Sequence, residues 1–464
     1  MREGVAKPFL PDPVEHDSQV YIPIVSNIRE LDDAPRRFIL FSAVNVFSWQ
    51  CVVGPVMVLL ARKIDMPPSW VGVLIASMPL TTLLVLFTGS WVTKLGPRRL
   101  LMSAWTGRNL AACSVFLLPW VLSRYGQWAG WTVLMGACLS FCIVRAFGVS
   151  GWFPWLHEIL PVAQRGGFFS GEIAAVHCTN AFVILGQALW LAHEPALSHY
   201  LAIYAAGIVT GLLSMGLMVR IPGGAKHAAE EAPLANYSVA LHDRSFREMT
   251  VIANIGYGAT AWFSAAILLY MRDAVGLSPQ PILIVTALGS AGAFFMVHFW
   301  GQYAEQSGSG RAMYKTLIAH TAAPLGCLAL APGNPLAFWL VAPAAIIAVT
   351  YFLCFSMAAH RAMLHAIKEE GRVGYTNLWI VANAISLGVT PILAGLIIDW
   401  LGLTGYRVCF MLSAIMGLAG AILCALRLRE GESARRQMKI RPGDSVAVMA
   451  RIVRISLGLH SSNR

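Results

Sequence analysis

Charged side chains are scarce in this sequence. Asp, Glu, Lys and Arg make up 12% of its 464 residues, whereas 57% are hydrophobic. A soluble domain needs roughly a quarter of its residues charged to cover its surface. The mean hydropathy of +0.63 agrees with this deficit. The composition excludes an ordinary water-soluble protein and predicts a chain that crosses a membrane many times.

Motifs for metal, nucleotide and redox chemistry are missing from the sequence. His157 and Glu158 do not continue into an HExxH zinc helix, because Pro161 stands at the position of the second histidine. No Walker loop or Rossmann glycine pattern occurs, and none of the nine cysteines is part of a CxxC pair. All nine lie in apolar runs, as small packing residues do. We therefore expect no cofactor, no metal site and no enzymatic activity.

A cleavable signal peptide is not recognised either. Residues 1–36 are polar and rich in proline, without the short apolar core that a signal peptide carries. The first apolar run is therefore expected to act as its own membrane-insertion signal.

Twelve apolar runs are long enough to cross a bilayer, whose core of about 30 Å takes about 20 helical residues. They are residues 38–60, 71–92, 100–122, 129–150, 168–192, 199–220, 249–272, 282–304, 312–331, 336–357, 374–399 and 405–427. The longest internal polar stretch separates the sixth run from the seventh. The sequence predicts an all-α membrane protein built from an N-terminal tail (1–37), a six-helix bundle (38–220), a linker (221–248), a second six-helix bundle (249–427) and a basic C-terminal tail (428–464).

Lysine and arginine are distributed unevenly about these runs. With both termini on one side of the membrane, 27 of the 34 basic residues fall on that side, five fall on the other and two lie inside runs. Cytoplasmic loops carry the excess of Lys and Arg. Both termini are therefore predicted to be cytoplasmic, in a multi-pass protein of the cytoplasmic membrane. The net charge of +11 lies in loops and tails, which favours anionic membrane lipid as a partner over nucleic acid.

A short basic segment joins the second and third runs. Residues 89–99 read GSWVTKLGPRR. Gly89 would let two helices approach closely, and Gly96 begins a tight turn with the proline that follows it. Arg98 and Arg99 then lie where lipid phosphates and helix ends can accept their hydrogen bonds. This segment resembles the loop between the second and third membrane helices of the major facilitator superfamily.

A second copy of this segment follows in the other half of the chain. Residues 301–311 read GQYAEQSGSGR, so Gly308 and Arg311 repeat the spacing of Gly96 and Arg99 at an offset of 212. Recurrence of a loop at a fixed offset is typical of a chain built from two related halves.

Another pair of loops repeats at nearly the same offset. Arg165 is matched by Arg372 and Phe168 by Tyr375, in both cases 207 residues later. Two such pairs strengthen the prediction of two related halves.

The resemblance implies two six-helix halves around a binding site at the middle of the membrane, worked by alternating access. The chain departs from the family's pattern at one position. The acidic residue expected in the first loop is Thr93 here, whereas the equivalent position of the second loop is Glu305. If a carboxylate helps to gate the protein, that role is expected in the second half.

Ionisable residues inside the runs are few, and each is a functional candidate because a charge in hydrocarbon is costly unless paired or wetted. Arg108 lies in the third run, Arg145 in the fourth, and Glu172 near the cytoplasmic end of the fifth. One interpretation pairs Glu172 with Arg108 or Arg145 and has it take up a proton as the pair separates. The other has Arg145 face lipid and extend to the interface. His177 and His298 are further candidates to carry the proton.

Polar and aromatic side chains follow one face of several runs at helical spacing. Such groups at bilayer depth need partners, which either a polar cavity or hydrogen bonding between helices can supply. The predicted solute-binding residues are Asn45, Trp49, Gln50, His177, Asn180, Gln187, Asn254, Tyr257, Trp379 and Asn383.

Amide groups beside aromatic faces suit a neutral polyhydroxylated solute. We therefore expect a secondary active transporter of a sugar, a glycoside or a related neutral compound, with a proton as co-substrate, acting as a monomer. Two alternatives stay open. An organic anion transporter of the same fold could use Arg108 and Arg145, and a membrane sensor could keep the fold without transport.

Overall fold

The computed structural model describes residues 31–161, 165–192, 195–224, 237–329, 337–368 and 372–428, and every regular element in them is helical. The first half contains α1 (Asp33–Val53), α2 (Pro55–Lys63), α3 (Pro68–Thr81), α4 (Gly89–Leu95), α5 (Pro97–Ala112), α6 (Leu118–Tyr125), α7 (Gln127–Val149), α8 (Trp152–Ile159), α9 (Arg165–Trp190) and α10 (Leu197–Val219). The rest contains α11 (Tyr237–His242), α12 (Arg244–Leu269), α13 (Pro279–Ser307), α14 (Ser309–Leu328), α15 (Ala337–Ala366), α16 (Arg372–Leu401) and α17 (Leu403–Arg427). Most of the two predicted tails and part of the predicted linker lie outside the described residues.

In the first half, two of the crossings are divided into two helices near a proline. α1 ends at Val53 and α2 begins at Pro55, because proline lacks the N–H that would continue the hydrogen bonds of α1. α5 and α6 are joined by a 3₁₀ turn, Cys113–Leu117, just before Pro119. The first and third predicted runs are therefore each built from two helices.

Within the described part of the chain, ten helices or joined helices are long and apolar enough to cross a membrane. They are Asp33–Lys63, Pro68–Phe87, Gln127–Leu156, Gly171–Trp190, Leu197–Val219, Arg244–Ala274, Pro279–Val297, Phe338–Ala366, Gly374–Leu401 and Leu403–Arg427. The predicted third and ninth runs correspond to α5–α6 and α14. α5 has only 16 residues and includes three arginines, and α14 includes Arg311 and Lys315. The all-α prediction is confirmed for the described residues, and the count of twelve crossings stays a prediction.

The helices pack in the same pattern in both halves. In the first half α1 packs on α9 and α10, α5 on α7 and α10, and α3 on α7. In the second half α12 packs on α16 and α17, α14 on α15 and α17, and α13 on α15. Between the halves α3 packs on α16 and α9 on α13. Each pair has its counterpart under one exchange of the halves, which is a pseudo-twofold arrangement.

Local geometry repeats along with the packing. Gly96 and Gly308, the residues before α5 and α14, have φ values of 82° and 91° and the same ψ of 147°. The rings of Phe38 and Phe168 lie 6.0 Å apart, and those of Phe246 and Tyr375, 208 and 207 residues later, lie 4.7 Å apart. A positive φ in both loops requires glycine, because a side chain there would be strained.

The apolar cores show where the two halves join. One core, which includes Val52, Leu134, Phe263 and Ala394, contains residues of both halves. Toward the termini there are two separate cores. The core around Phe38 belongs to the first half, and the core that includes Phe246 and Trp379 belongs to the second. Hydrophobic packing therefore holds the halves together mainly at the end away from the termini.

Polar contacts between the halves lie at that same end. Arg62 Nε of the first half lies 3.1 Å from Asp273 Oδ1 of the second. Within the second half, Tyr406 Oη supports the same carboxylate by donating to Asp273 Oδ2 at 3.1 Å. The backbone N–H of Ser69 donates to Asp399 Oδ2 at 2.9 Å. These contacts close the end away from the termini.

Glycines bring α3 and α16 into backbone contact there. A methyl group at Gly72 would collide with the carbonyl oxygen of Pro391, and one at Gly395 would collide with that of Pro68. Both positions are therefore restricted to glycine for as long as this end is closed.

Candidate functional site

The candidate site is the space between the halves on the side of the termini. Away from the closed end, one hydrogen bond joins the two halves among the described residues. Asn180 Nδ2 donates to Ser290 Oγ at 3.0 Å. Asn180 lies near the middle of α9. From there toward the termini, the buried apolar residues separate into one core for each half.

The first half contributes a buried arginine. Arg108 is only 1% exposed, and its guanidinium lies over the rings of Trp105 and Phe141 at 4.5 and 4.9 Å. Arg108 and Trp105 Nε1 both donate to Asn45 Oδ1, the latter at 2.9 Å. Arg108 Nε is buried and has no hydrogen-bond partner in the described structure. These ring and amide contacts stabilise the cation in part.

A second arginine lies beside it on α7. Arg145 follows Leu134, Cys138 and Phe141 at helical spacing, and these residues and Gly148 are buried. Arg145 therefore lies on the inward face of α7, and the interpretation that it faces lipid is wrong. Its Nη1 atom is buried without a partner among the described residues.

The two arginines have no carboxylate partner among the described residues. The ion pairs observed there all involve other side chains. Arg108 is eleven residues into α5, or about 16 Å along its axis. Arginine stays protonated in proteins. An uncompensated charge at such depth costs about 2.5–3.5 kcal/mol on insertion scales. The arrangement therefore has unused capacity for negative charge.

Glu172 has a different partner from the predicted one. Ser42 Oγ donates to its Oε1 at 2.9 Å, and no ion pair joins it to Arg108 or Arg145. Ser42 and Asn45 are three residues apart on α1, a rise of about 4.5 Å. The carboxyl group and the arginine cluster therefore contact neighbouring turns of α1, without an observed ion pair between them. The sequence does not reveal this arrangement, because it gives no distances between helices.

The second half contributes a neutral polar cluster. Tyr257 Oη lies 3.2 Å from Ser356 Oγ and 3.4 Å from His360 Nδ1. Trp379 packs edge-on against Tyr257 and His360, with ring centroids 6.1 and 5.7 Å away. Trp379 Nε1 is buried without a partner among the described residues. Sequence reasoning missed Ser356 and His360, although their spacing of four residues on α15 places them on one face.

An amide completes this cluster. Ser386 Oγ donates to Asn254 Oδ1 at 2.8 Å, and Asn254 Nδ2 donates to the carbonyl of Thr250 at 2.8 Å. Asn383 Oδ1 is buried and has no partner in the described part of the chain. With Trp379, the described part of this cluster contains one buried donor and one buried acceptor without a partner.

The polar residues predicted on α9 divide into two groups. Gln50 donates to Asn180, and His177 has a buried Nδ1 atom without a described partner. Gln187, in contrast, is 4% exposed and its amide lies 3.3 Å from Cys51 Sγ. It packs α9 against α1 and contributes to a helix interface. Trp49 packs against the core that joins the halves.

The repeated loops contain both exposed and anchored arginines. Gly89 is the first residue of α4. Arg98 Nη2 donates to the carbonyl of Val219 at 2.5 Å, which ties the start of α5 to the end of α10. Arg99 and Arg311 are exposed. The side chains of Thr93, Glu305, His298, Arg165 and Arg372 lie outside the described residues.

An acidic residue that sequence reasoning did not single out organises the second half. Asp243 caps α12 by accepting from the N–H of Ser245 at 3.0 Å and that of Phe246 at 3.2 Å. It also accepts from Tyr375 Oη at 2.9 Å and from Lys368 Nζ at 2.8 Å. The hydrogen bond from Lys368 is the main reason that the pKa of Asp243 falls to about 2.

Comparison with known proteins agrees with this architecture. Residues 259–456 match the family model of the Major Facilitator Superfamily. No protein of curated function is similar in sequence.

Several solved structures share the fold. The nucleoside transporter NupG superposes with a TM-score of 0.60 at 10% identity, over 85% of this chain and 98% of that one. A D-xylose-proton symporter gives 0.64 at 12% identity, over 87% and 99%. A bacterial homologue of the human lysosomal transporter Spinster, inward-facing and occupied, gives 0.59 at 14% identity, over 87% and 98%.

These neighbours are all named as transporters or as homologues of one. Their low identity establishes the fold alone, and the family model supports it independently over the second half. The predicted resemblance to the major facilitator superfamily is therefore confirmed, and the chain has the fold of that superfamily.

Proposed function

We propose that this chain is a secondary transporter that moves a small polar organic solute by alternating access between its two halves. One observation carries the proposal. The halves share a core and polar contacts at one end, whereas unpartnered polar atoms of both halves lie on the other side of Asn180. A solute that enters from the side of the termini could pair with them, and closure of that side with opening of the Arg62 end would release it.

The membrane orientation follows from the distribution of basic residues. The excess of Lys and Arg beside the termini supports cytoplasmic termini in the cytoplasmic membrane. The open side of this structure would then face the cytoplasm. In intact cells a cysteine at Ser123 should react with an impermeant reagent and one at Ser307 should not; the reverse result would overturn the orientation.

Proton coupling is proposed to run through Glu172. It lies near the start of the described crossing Gly171–Trp190, close to the arginine cluster, and its present bond is to a hydroxyl and not to an arginine. A carboxyl group that meets water from alternate sides can carry a proton across. A D-xylose-proton symporter among the structural neighbours supports this part of the proposal.

The chemistry of the solute has two candidates. Amide, hydroxyl and aromatic groups around Tyr257 support a neutral polyhydroxylated solute, and the neighbours named for xylose and nucleosides agree with that class. The unpaired arginines of the first half favour an organic anion instead. Both candidates use the same site and the same alternating access.

Uptake into proteoliposomes tests the proposal. Purified protein should exchange at least one labelled sugar, nucleoside or organic acid faster than protein-free liposomes, and exchange should saturate with solute concentration. A solute that binds and stabilises the protein, but is never exchanged, would overturn transport and leave the sensor alternative.

A further inference from the structure

We infer that Arg108 and Arg145 form the binding site for a carboxylate of the solute, so that the solute is a small organic acid. This inference rests on the proposed transport function and names its substrate class. It starts from two buried cations whose Nε and Nη1 atoms lack hydrogen-bond partners in the described structure. Unpaired donors on a buried cation favour an anion as their partner, because a guanidinium group binds a carboxylate with charge-assisted hydrogen bonds.

Other arginines of the chain show how a structural arginine uses its donors. Arg98 donates to the carbonyl of Val219 at 2.5 Å. Arg361 donates to the carbonyl of Ala304 at 2.7 Å and to Ser309 Oγ at 2.8 Å. Each ties together the ends of helices. Arg145 makes no such bond among the described residues, so packing of the helices does not account for it.

Charge balance sets the charge of the ligand. With Glu172 ionised, the described interior of the first half contains two positive groups and one negative group, which leaves one positive charge. A monovalent carboxylate neutralises that charge, whereas a neutral sugar leaves it in the membrane and a doubly charged phosphate exceeds it. His177 adds no charge when it is neutral.

Geometry favours a carboxylate in particular. Guanidinium groups present planar pairs of N–H donors that match the two oxygens of a carboxylate. Arg108 is fixed by Trp105, Phe141 and Asn45, so the donor on its Nε atom is positioned before the solute arrives. Arg145 lies on α7, the helix that packs against α5, so the two positive charges repel each other. An anion between them removes this repulsion.

The rest of the solute would meet the neutral cluster of the second half. Tyr257, Ser356 and His360 offer hydroxyl and imidazole groups, and Asn383 and Trp379 offer one free acceptor and one free donor. Such groups bind hydroxyls. The class that fits both halves is a small hydroxylated carboxylic acid.

Matched pairs of compounds test the inference. Thermal unfolding of the purified full chain is measured with gluconate and glucitol, galacturonate and galactose, and lactate and lactamide. Members of each pair resemble each other in size and differ in charge. At least one acid should raise the unfolding midpoint by about 3 °C or more at saturating concentration, while its neutral partner changes it by less than about 1 °C.

Variants identify the residue responsible. Arg145→Gln should weaken binding of that acid by at least about tenfold, and Arg145→Lys, which keeps the charge without the planar pair of donors, should weaken it less. Arg124→Gln is the matched control, because Arg124 is exposed at the far end of the same half. The unfolding midpoint without ligand shows whether Arg145→Gln folds. If it does not, Arg108→Lys provides a second variant.

Two results would overturn the inference. One is that no acid stabilises the protein more than its neutral partner, and the other is that Arg145→Gln binds the acid as tightly as the wild type does. The transport proposal is judged separately. Neutral compounds exchanged by proteoliposomes would leave transport standing without a carboxylate site, whereas acids that bind through Arg145 without being exchanged would leave the site standing without transport.

Discussion

The two halves of this molecule share an architecture and differ in their chemistry. Asn45 and Asn254 occupy corresponding places on α1 and α12, 209 residues apart. Asn45 accepts from Arg108, whereas Asn254 accepts from Ser386. The first half buries two arginines and a glutamate, and the described interior of the second half is neutral around Tyr257. A duplicated fold can therefore divide its work, with charge handled by one half and neutral recognition by the other.

Removing the acid from the charged half should have the largest effect. Glu172→Gln is expected to abolish concentrative uptake under a pH gradient and to preserve solute exchange, which needs no net proton movement. Both rates are measured in proteoliposomes for whichever solute the wild type carries. Glu248→Gln is the matched control from the second half, since Glu248 pairs with Arg427 at 3.5 Å near the surface.

If Glu172→Gln accumulated solute at the wild-type level, the proposed difference between the halves would be contradicted, because a residue other than Glu172 would then couple transport to the proton. Wild-type protein that exchanges solute but never accumulates it would be a uniporter, and Glu172 would then be structural.

The two halves should contribute equally to closing the Arg62 end. Substitution of one glycine in α3 and one in α16 tests this expectation. Gly72→Val and Gly395→Val each place a side chain against backbone of the opposite half. Overpacking of this kind costs about 1–3 kcal/mol, so exchange should fall by roughly tenfold or more in both variants, because the Arg62 end no longer closes. Gly136→Val is the control, since nothing lies within 4 Å of a methyl group there. A large effect at only one of the two glycines would contradict mechanical equivalence.

A smaller effect is expected where the ends of the halves are tied. Asp243→Asn should lower stability by about 1 kcal/mol, because the charged cap of α12 and its bond to Lys368 are weakened. The control is Asp33→Asn in the first half, where an exposed pair with Arg36 at 3.9 Å should change stability by less than about 0.5 kcal/mol. Unfolding midpoints of the two variants measure the difference, and equal losses would contradict the account.

The same residue predicts a dependence on pH. The pKa of Asp243 is about 2 in the folded protein, below the usual value of about 3.9. A depressed carboxyl pKa stabilises the folded state above about pH 4, and that contribution is lost as pH falls from about 4 toward 2. The difference in unfolding midpoint between wild type and Asp243→Asn should therefore shrink below about pH 4. A difference that stays constant down to pH 3 would show that the charge of Asp243 does not contribute.

Much of the fold follows from sequence, because hydrophobic length and repeated turns are local properties. The glycine at Gly96 and its copy at Gly308 identify two loops whose backbones agree. The candidate site is less predictable, because partners are set by distances between helices. Nothing in the sequence places Ser42, instead of an arginine, beside Glu172. The inward face of Arg145 could have been predicted from its spacing after Phe141, which is buried on the same helix.

Alternating access is the central claim, and distances measured at both ends of the molecule test it most directly. Spin labels on noncanonical amino acids, which leave the native cysteines untouched, can be placed at Lys63 and Ser278 for the closed end and at Lys94 and Arg311 for the open side, all of them exposed. Arg62→Ala removes the ion pair with Asp273 that closes one end. The account predicts that this variant lengthens the Lys63–Ser278 distance and shortens the Lys94–Arg311 distance in the same fraction of molecules. Distances that change at one end alone, or in the same direction at both, would contradict it.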